Sequence, residues 1–205
     1  MTRFVLIRHG QTEWNRVERF RGRADVPLNE IGLAQARATG ERIAGEWEVA
    51  AVYSSPLSRA IRTAEAIAAR FNLNVQIRPN LADIDYGQWQ GLTPDEARAR
   101  WPEEVEAWYS APQDTHIPGG ETLAALRARA MAEIRELGSL HPGDTIVLAG
   151  HTVINRIMLL GVLGLGNERF WRLRQEPCAI NVFEWDGFEF DVVSLNDTCH
   201  VRSVA

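Results

Sequence analysis

The chain predicts an α/β three-layer sandwich, with a mostly parallel central sheet and helices on both faces. Three observations predict it. Short apolar runs alternate with segments of helical periodicity along most of the 205 residues. Phe4-Val5-Leu6-Ile7 and residues 145–149 are apolar without polar alternation, as strands covered on both faces must be. A last pair of runs flanks Asp186-Gly187, a hairpin signal.

Residues 3–8 read as the first strand, with Arg8-His9-Gly10 at its carboxyl end. Asn29 caps a helix whose inward face is read as Leu33, Ala36, Ile43 and Trp47. Residues 50–53 are the second strand. Ser55-Pro56 reads as a cap and first-turn proline opening a helix with Ala60, Ala64 and Ile67 inward. Residues 75–78 are a short third strand. The stretch 81–120 differs in kind: it is rich in Gly and Pro and carries Tyr86, Trp89, Trp101, Trp108 and Tyr109. It is expected to form a loop-and-helix excursion, a cap over the end of the sheet within a single domain, 1–205. A helix over 122–137, a buried strand over 145–149 ending at Gly150-His151, a helix over 152–163, and a hairpin of 180–185 with 188–195 complete the chain.

Composition excludes several function classes. The net charge of −5 offers no global field for nucleic acid or an anionic membrane surface. The longest apolar run, 157–165, is far short of the roughly 20 residues of a membrane span. Cys178 and Cys199 match no zinc spacing and read as reduced thiols of a cytoplasmic protein. No metal set and no cofactor motif is evident. A homodimer is left open.

Ligands of such folds bind beyond the carboxyl ends of the strands, and the sequence places a histidine there twice, at His9 and His151. The ring of His9 is a competent nucleophile at neutral pH, Arg8 offers a planar fork for phosphate oxygens, and Gly10 is read as the residue that lets the backbone turn beside the ring. With Leu-Ile-Arg-His-Gly-Gln-Thr-Glu-Trp-Asn over 6–15, Pro27-Leu28-Asn29 and Gly32, Ser54-Ser55-Pro56-Leu57-Ser58-Arg59, Pro118-Gly119-Gly120-Glu121, and Gly150-His151, the chain resembles the histidine phosphatase superfamily, the phosphoglycerate mutase-like family. The likeness runs from about residue 3 to 156.

The resemblance implies that His9 is phosphorylated, that Arg8, Arg59 and His151 complete a phosphate pocket, and that Asn15 adds a phosphate contact. Two guanidiniums and an imidazolium would then face the transferring group. Arg21, Gly22, His116 and Thr152 are further candidates for substrate contact, and Glu121 matches a residue near the pocket; Arg23 and Arg62 read equally well as solvated charges. The chain departs from the family at two places. Asp83 stands where a glutamate commonly supplies the proton, with Asp85 two residues on, and His151 is followed by Thr152-Val153 rather than two glycines. The implied activity is metal-independent hydrolysis of a small phosphorylated metabolite through phospho-His9. The alternatives are a cofactor-dependent phosphoglycerate mutase, whose family members tend to be longer, and a non-catalytic phospho-ligand sensor, which would be expected to lose His9 or Arg59.

Overall fold

A computed structural model of the chain describes residues 1–202 and 204. In chain order its elements are β1 (Thr2–Arg8), α1 (Glu13–Arg16), α2 (Glu30–Ala44), β2 (Ala51–Ser54), α3 (Ser58–Ala68), β3 (Val75–Ile77), α4 (Pro94–Arg98), α5 (Pro102–Ser110), α6 (Leu123–Leu140), β4 (Thr145–Gly150), α7 (Thr152–Val162), β5 (Ile180–Trp185) and β6 (Phe190–Asp197). The strands form one sheet in the order β3-β2-β4-β1-β5-β6. β3, β2, β4 and β1 are parallel, and the β5–β6 hairpin adds two antiparallel strands beside β1.

The unbroken apolar runs of β1 and β4 follow from coverage on both sides. Phe4, Leu6, Ile146 and Leu148 point into a core shared with Leu126 and Ile134 of α6 and Ile157 of α7. Val5, Ile7, Val147 and Ala149 point into a second core with Ile43 of α2 and Ala64 and Ile67 of α3. Successive side chains of a strand alternate faces, so every residue of the run meets a helix layer. Phe4 stacks on Phe183 of β5, its register partner, with ring centroids 4.9 Å apart. The three-layer sandwich is therefore the observed architecture.

Two details depart from the expected pattern. The inward face of α2 is Gly32, Gln35, Ala36, Thr39, Gly40 and Ile43. Leu33 is exposed, and Trp47 lies beyond the helix but still packs against the second core. Small residues let α2 approach closely: a Cβ at Gly40 would fall 2.6 Å from the Ala66 carbonyl. Counting apolar side chains finds Ala36 and Ile43 on such a face and misses its glycines and its polar residues. The second departure is at Ser55-Pro56, which does not open α3. The helix begins at Ser58 with Leu57 as its cap residue. The Ser55 backbone still bonds the end of β4 (N to Ala149 O, 3.1 Å), and its hydroxyl is drawn into the site described below.

The stretch 81–120 contains two short α-helices, α4 and α5, between 3-10 turns. Its aromatics extend the core between the sheet and α6 and α7: Trp89 and Trp108 are fully buried, and Trp108 meets Tyr86, Trp89 and Phe170 edge-on or tilted. Phe170 belongs to a 3-10 helix, Asn167–Arg172, that the sequence reading did not anticipate. Among the described residues no helix is long and apolar enough to cross a membrane.

Candidate active site

β1 and β4 lie side by side in the sheet, and their carboxyl ends deliver the two histidines together. The rings of His9 and His151 are 5.2 Å apart, and both are buried. Next to them, fully buried, is the guanidinium of Arg59, projected from the first turn of α3. Arg8, Asn15, Arg21 and Thr152 line one solvent-accessible cavity beside this group; Arg21, Gly22, Asp83 and Thr152 line a second that adjoins it. The structure thus brings together His9, His151, Arg8, Arg59, Asn15, Arg21, Gly22, Asp83 and Thr152.

Hydrogen bonds fix the tautomer of each ring. His9 Nδ1 lies 2.7 Å from the Gly10 carbonyl oxygen. A carbonyl only accepts, so Nδ1 carries the proton and Nε2 keeps its lone pair. Arg59 Nε donates to His151 Nδ1 at 3.2 Å, and His151 Nε2 is 2.7 Å from Ser55 Oγ. A guanidinium only donates, so His151 is bare at Nδ1, protonated at Nε2 and neutral. The expected imidazolium is corrected: burial first, then the charge of Arg59, holds both rings well below the ordinary histidine value.

Arg59 also donates to the Ala24 carbonyl (2.6 Å) and the Gly22 carbonyl (2.8 Å). These bonds lock its fork in place and leave further N–H groups for an anion. Gly22 therefore enters the site through its backbone, as a support for Arg59. Its φ of +47° is a conformation other residues resist, and a Cβ would fall 2.7 Å from the Ile84 carbonyl. Gly10 has a different reason from the one expected. A Cβ there would collide with the Gly32 carbonyl at 2.5 Å, so Gly10 lets α2 start hard against the His9 loop.

Arg8 donates from Nη1 to the Gln175 carbonyl, and its Nε is buried without a partner. Burial, with Arg21 nearby, lowers it to about 9, which leaves it charged at neutral pH. Burial likewise lowers Arg59 to about 10, and lowers Arg21 and Arg156. Crowded, desolvated cations of this kind gain when an anion arrives.

Asp83 is the buried carboxylate facing these arginines. Its Oδ1 accepts from the Ile154 N–H at 3.2 Å, in the first turn of α7. Burial pushes its carboxyl up, against the pull of Arg59 and that N–H. Asp85 is parted from it: Asp85 Oδ1 caps Gly87 N at 2.8 Å, and its other oxygen pairs with Arg23. The loop bearing Asp83 is pinned by Arg129, which donates to the carbonyls of Asn80, Ala82 and Asp83 and forms a two-pronged pair with Glu121. Glu121 thus braces that loop through Arg129.

His116 is not brought to the site. It is exposed, its Nδ1 bonds the Asp114 carbonyl at 3.1 Å, and it lines neither cavity. Asn15 uses Oδ1 to accept from Thr12 N and Oγ1 while lining the cavity beside Arg8. Ser55, Arg156 and Gln175 were missed by the sequence reading. Arg156 had a signal: it follows Thr152 by four residues, so one helical face carries both.

The neutral histidines make stability pH-dependent. Their folded values lie below 6.5, the ordinary value. Below about that pH the unfolded chain takes up protons the folded chain refuses, so stability falls as pH falls, by up to roughly 1.4 kcal/mol per unit per histidine. The raised Asp83 acts in the opposite sense at lower pH. Urea unfolding at pH 7.5 and 5.5 is expected to show a smaller loss for His9→Gln than for the wild type. Equal losses would contradict a buried neutral His9.

A family model of the histidine phosphatase superfamily (branch 1) matches residues 4–198. Phosphoserine phosphatase 1 of Hydrogenobacter thermophilus is 32% identical over 201 residues, 98% of this chain and 95% of that protein. A metal-independent phosphoserine phosphatase of Arabidopsis thaliana is 33% identical, over 100% of this chain and 85% of its own. Among solved structures, Bacillus stearothermophilus YhfR superposes with a TM-score of 0.93 at 28% identity, covering 98% of this chain and 100% of that one.

Proposed function

Because the chain belongs to the histidine phosphatase superfamily, we propose that it is a phosphomonoesterase working through phospho-His9 without a metal ion. One observation carries the reading: the Nδ1–H of His9 is tied to the Gly10 carbonyl, which leaves Nε2 as a lone-pair nucleophile among buried arginines. Nε2 attacks the phosphorus in line and displaces the alcohol, and Arg8 and Arg59 hold the phosphoryl oxygens. Asp83, poised by burial to hold a proton, gives it to the departing oxygen. The same carboxylate then takes a proton from water, which cleaves the P–N bond and restores His9. His151, neutral, fixes Arg59 through its bare Nδ1. Asn15, Arg21 and Thr152 complete the pocket, and the stretch 81–120 caps it.

The arginines supply the positive charge that a metal supplies elsewhere. Among the described residues no cluster of three or more His, Cys, Asp or Glu is arranged to hold a metal ion. The substrate is a small phosphorylated metabolite; since two relatives are phosphoserine phosphatases, O-phosphoserine heads the panel to be screened. Phosphate release from that panel after exhaustive chelation is expected at full rate and is expected to be inhibited by vanadate. Activity that vanishes in chelator and returns with magnesium would contradict the arginine-based mechanism. Rapid isomerisation of 3-phosphoglycerate in the presence of 2,3-bisphosphoglycerate, without net phosphate release, would make the chain a mutase instead.

A further inference from the structure

Beside the phosphate pocket, Arg156 is a cation without a counter-ion. Its guanidinium lies 5.1 Å from the Phe170 ring centroid and 5.2 Å from that of Trp171. Its Nε is buried without a hydrogen-bond partner, and Arg156 forms no ion pair among the described residues. Asp83 and Glu176 act on it only through space. One turn earlier, on the same face of α7, the Thr152 hydroxyl is also buried without a partner. Both residues line both cavities, and Asp83 lines one of them. Buried polar atoms ordinarily find partners, and two residues of one cavity wall each carry one that has none.

We infer that Arg156, with Thr152, is a specificity-determining subsite for a carboxylate on the leaving alcohol, so that the preferred substrates are phosphomonoesters of short hydroxy acids or hydroxy amino acids. The inference rests on the phosphatase reading above and adds the substrate class. Aromatic rings orient the guanidinium without spending its donors, because stacking uses the π face and leaves the fork edge free. A planar fork matches a carboxylate with two parallel hydrogen bonds. Thr152 sits beside His151 and Arg156 about 6 Å further along the helix, so a short alcohol protonated by Asp83 can carry its acid group to Arg156. Trp108, Tyr109 and Trp171 line the same cavity as Arg156 and Thr152. Tyr109 and Trp171 stack at 5.3 Å, and Trp171 is tied to the Trp108 carbonyl at 2.8 Å.

The test uses substrates that differ only in the carboxylate: O-phosphoserine against O-phosphoethanolamine, and 3-phosphoglycerate against glycerol phosphate. The wild type is expected to prefer the acid of each pair in kcat/KM. Arg156→Gln is expected to cut kcat/KM for the acids by about 10- to 150-fold more than for phosphoethanolamine, the worth of charge-assisted hydrogen bonds. Retained activity on phosphoethanolamine also shows that the variant is folded. Arg156→Lys should recover only part of the preference, as a point charge lacks the fork. An equal loss on both members of a pair, or no preference in the wild type, overturns the subsite. Equilibrium binding of the same ligands separates the two readings. Discrimination in binding without any hydrolysis leaves the subsite standing and removes the phosphatase; hydrolysis without discrimination does the reverse; absence of both removes both.

Discussion

Asp83→Asn is expected to lower turnover of an alkyl phosphate by roughly 10²–10⁴, the usual worth of general acid catalysis. The substitution is nearly isosteric. An amide oxygen can still accept from the Ile154 N–H that holds Oδ1 now, so the loss reports the missing proton and not a collapsed loop. The size of the loss depends on the leaving group. An alkoxide needs the proton as it departs, whereas p-nitrophenolate leaves unaided, so the phosphorylation step on p-nitrophenyl phosphate should suffer far less. Single-turnover bursts isolate that step from hydrolysis of the intermediate. Asp85→Asn should show no such dependence, because its carboxylate caps Gly87 and pairs with Arg23. The opposite pattern, with Asp85→Asn sensitive to the leaving group and Asp83→Asn not, would exchange the two roles.

Arg59→Lys is expected to be at least as damaging, with turnover down by roughly 10³–10⁵, the range in which a charge-stabilising arginine contributes to phosphoryl transfer. The guanidinium is held by three acceptors at once: the Gly22 and Ala24 carbonyls and His151 Nδ1. Lysine keeps the charge and loses the fork, leaving some of these buried acceptors unpaired. Arg62→Ala on the same helix is the control. Arg62 is exposed and pairs with Glu65 in its own helix, so its removal should leave turnover unchanged. A loss with Arg62→Ala equal to that with Arg59→Lys would mean that the helix surface, not the buried fork, carries the effect.

The legible parts of the fold were those written in periodicity. The runs at Phe4–Ile7 and 145–149 suit strands between two helix layers, and the carboxyl ends of β1 and β4 put His9 and His151 in one place. The cap of Asn29 is also as residue type predicts, accepting from Gly32 N. Arg8, Arg59 and Thr152 converge on the histidines because strand ends and helix starts converge there, and Asp83 reaches them from a loop held by Arg129. What stayed hidden depends on contacts distant in sequence. That α2 packs on glycines could not be seen from Leu33, since the partner backbone at Ala66 and Gln11 is invisible in one segment. The protonation of His151 depends on Arg59 approaching as a donor, which no local pattern encodes. Arg156 reads as an ordinary helix arginine until Phe170 and Trp171 are folded against it. His116 failed for the complementary reason: its neighbourhood in sequence to Pro118-Gly119-Gly120 says nothing of which way its side chain turns, and it turns to solvent between buried Thr115 and Ile117.

The account stands on His9 Nε2 forming a covalent bond to phosphorus, and rapid acid-free quench with ³²P-labelled substrate measures that bond. A phosphoramidate is stable to base and labile to acid, unlike a phosphoserine. The predicted result is one base-stable, acid-labile label on the peptide that contains His9, formed and discharged at rates compatible with turnover, and absent along with all turnover in His9→Ala. Label that survives acid, label that maps to another residue such as Ser55, or His9→Ala that still turns over would contradict it.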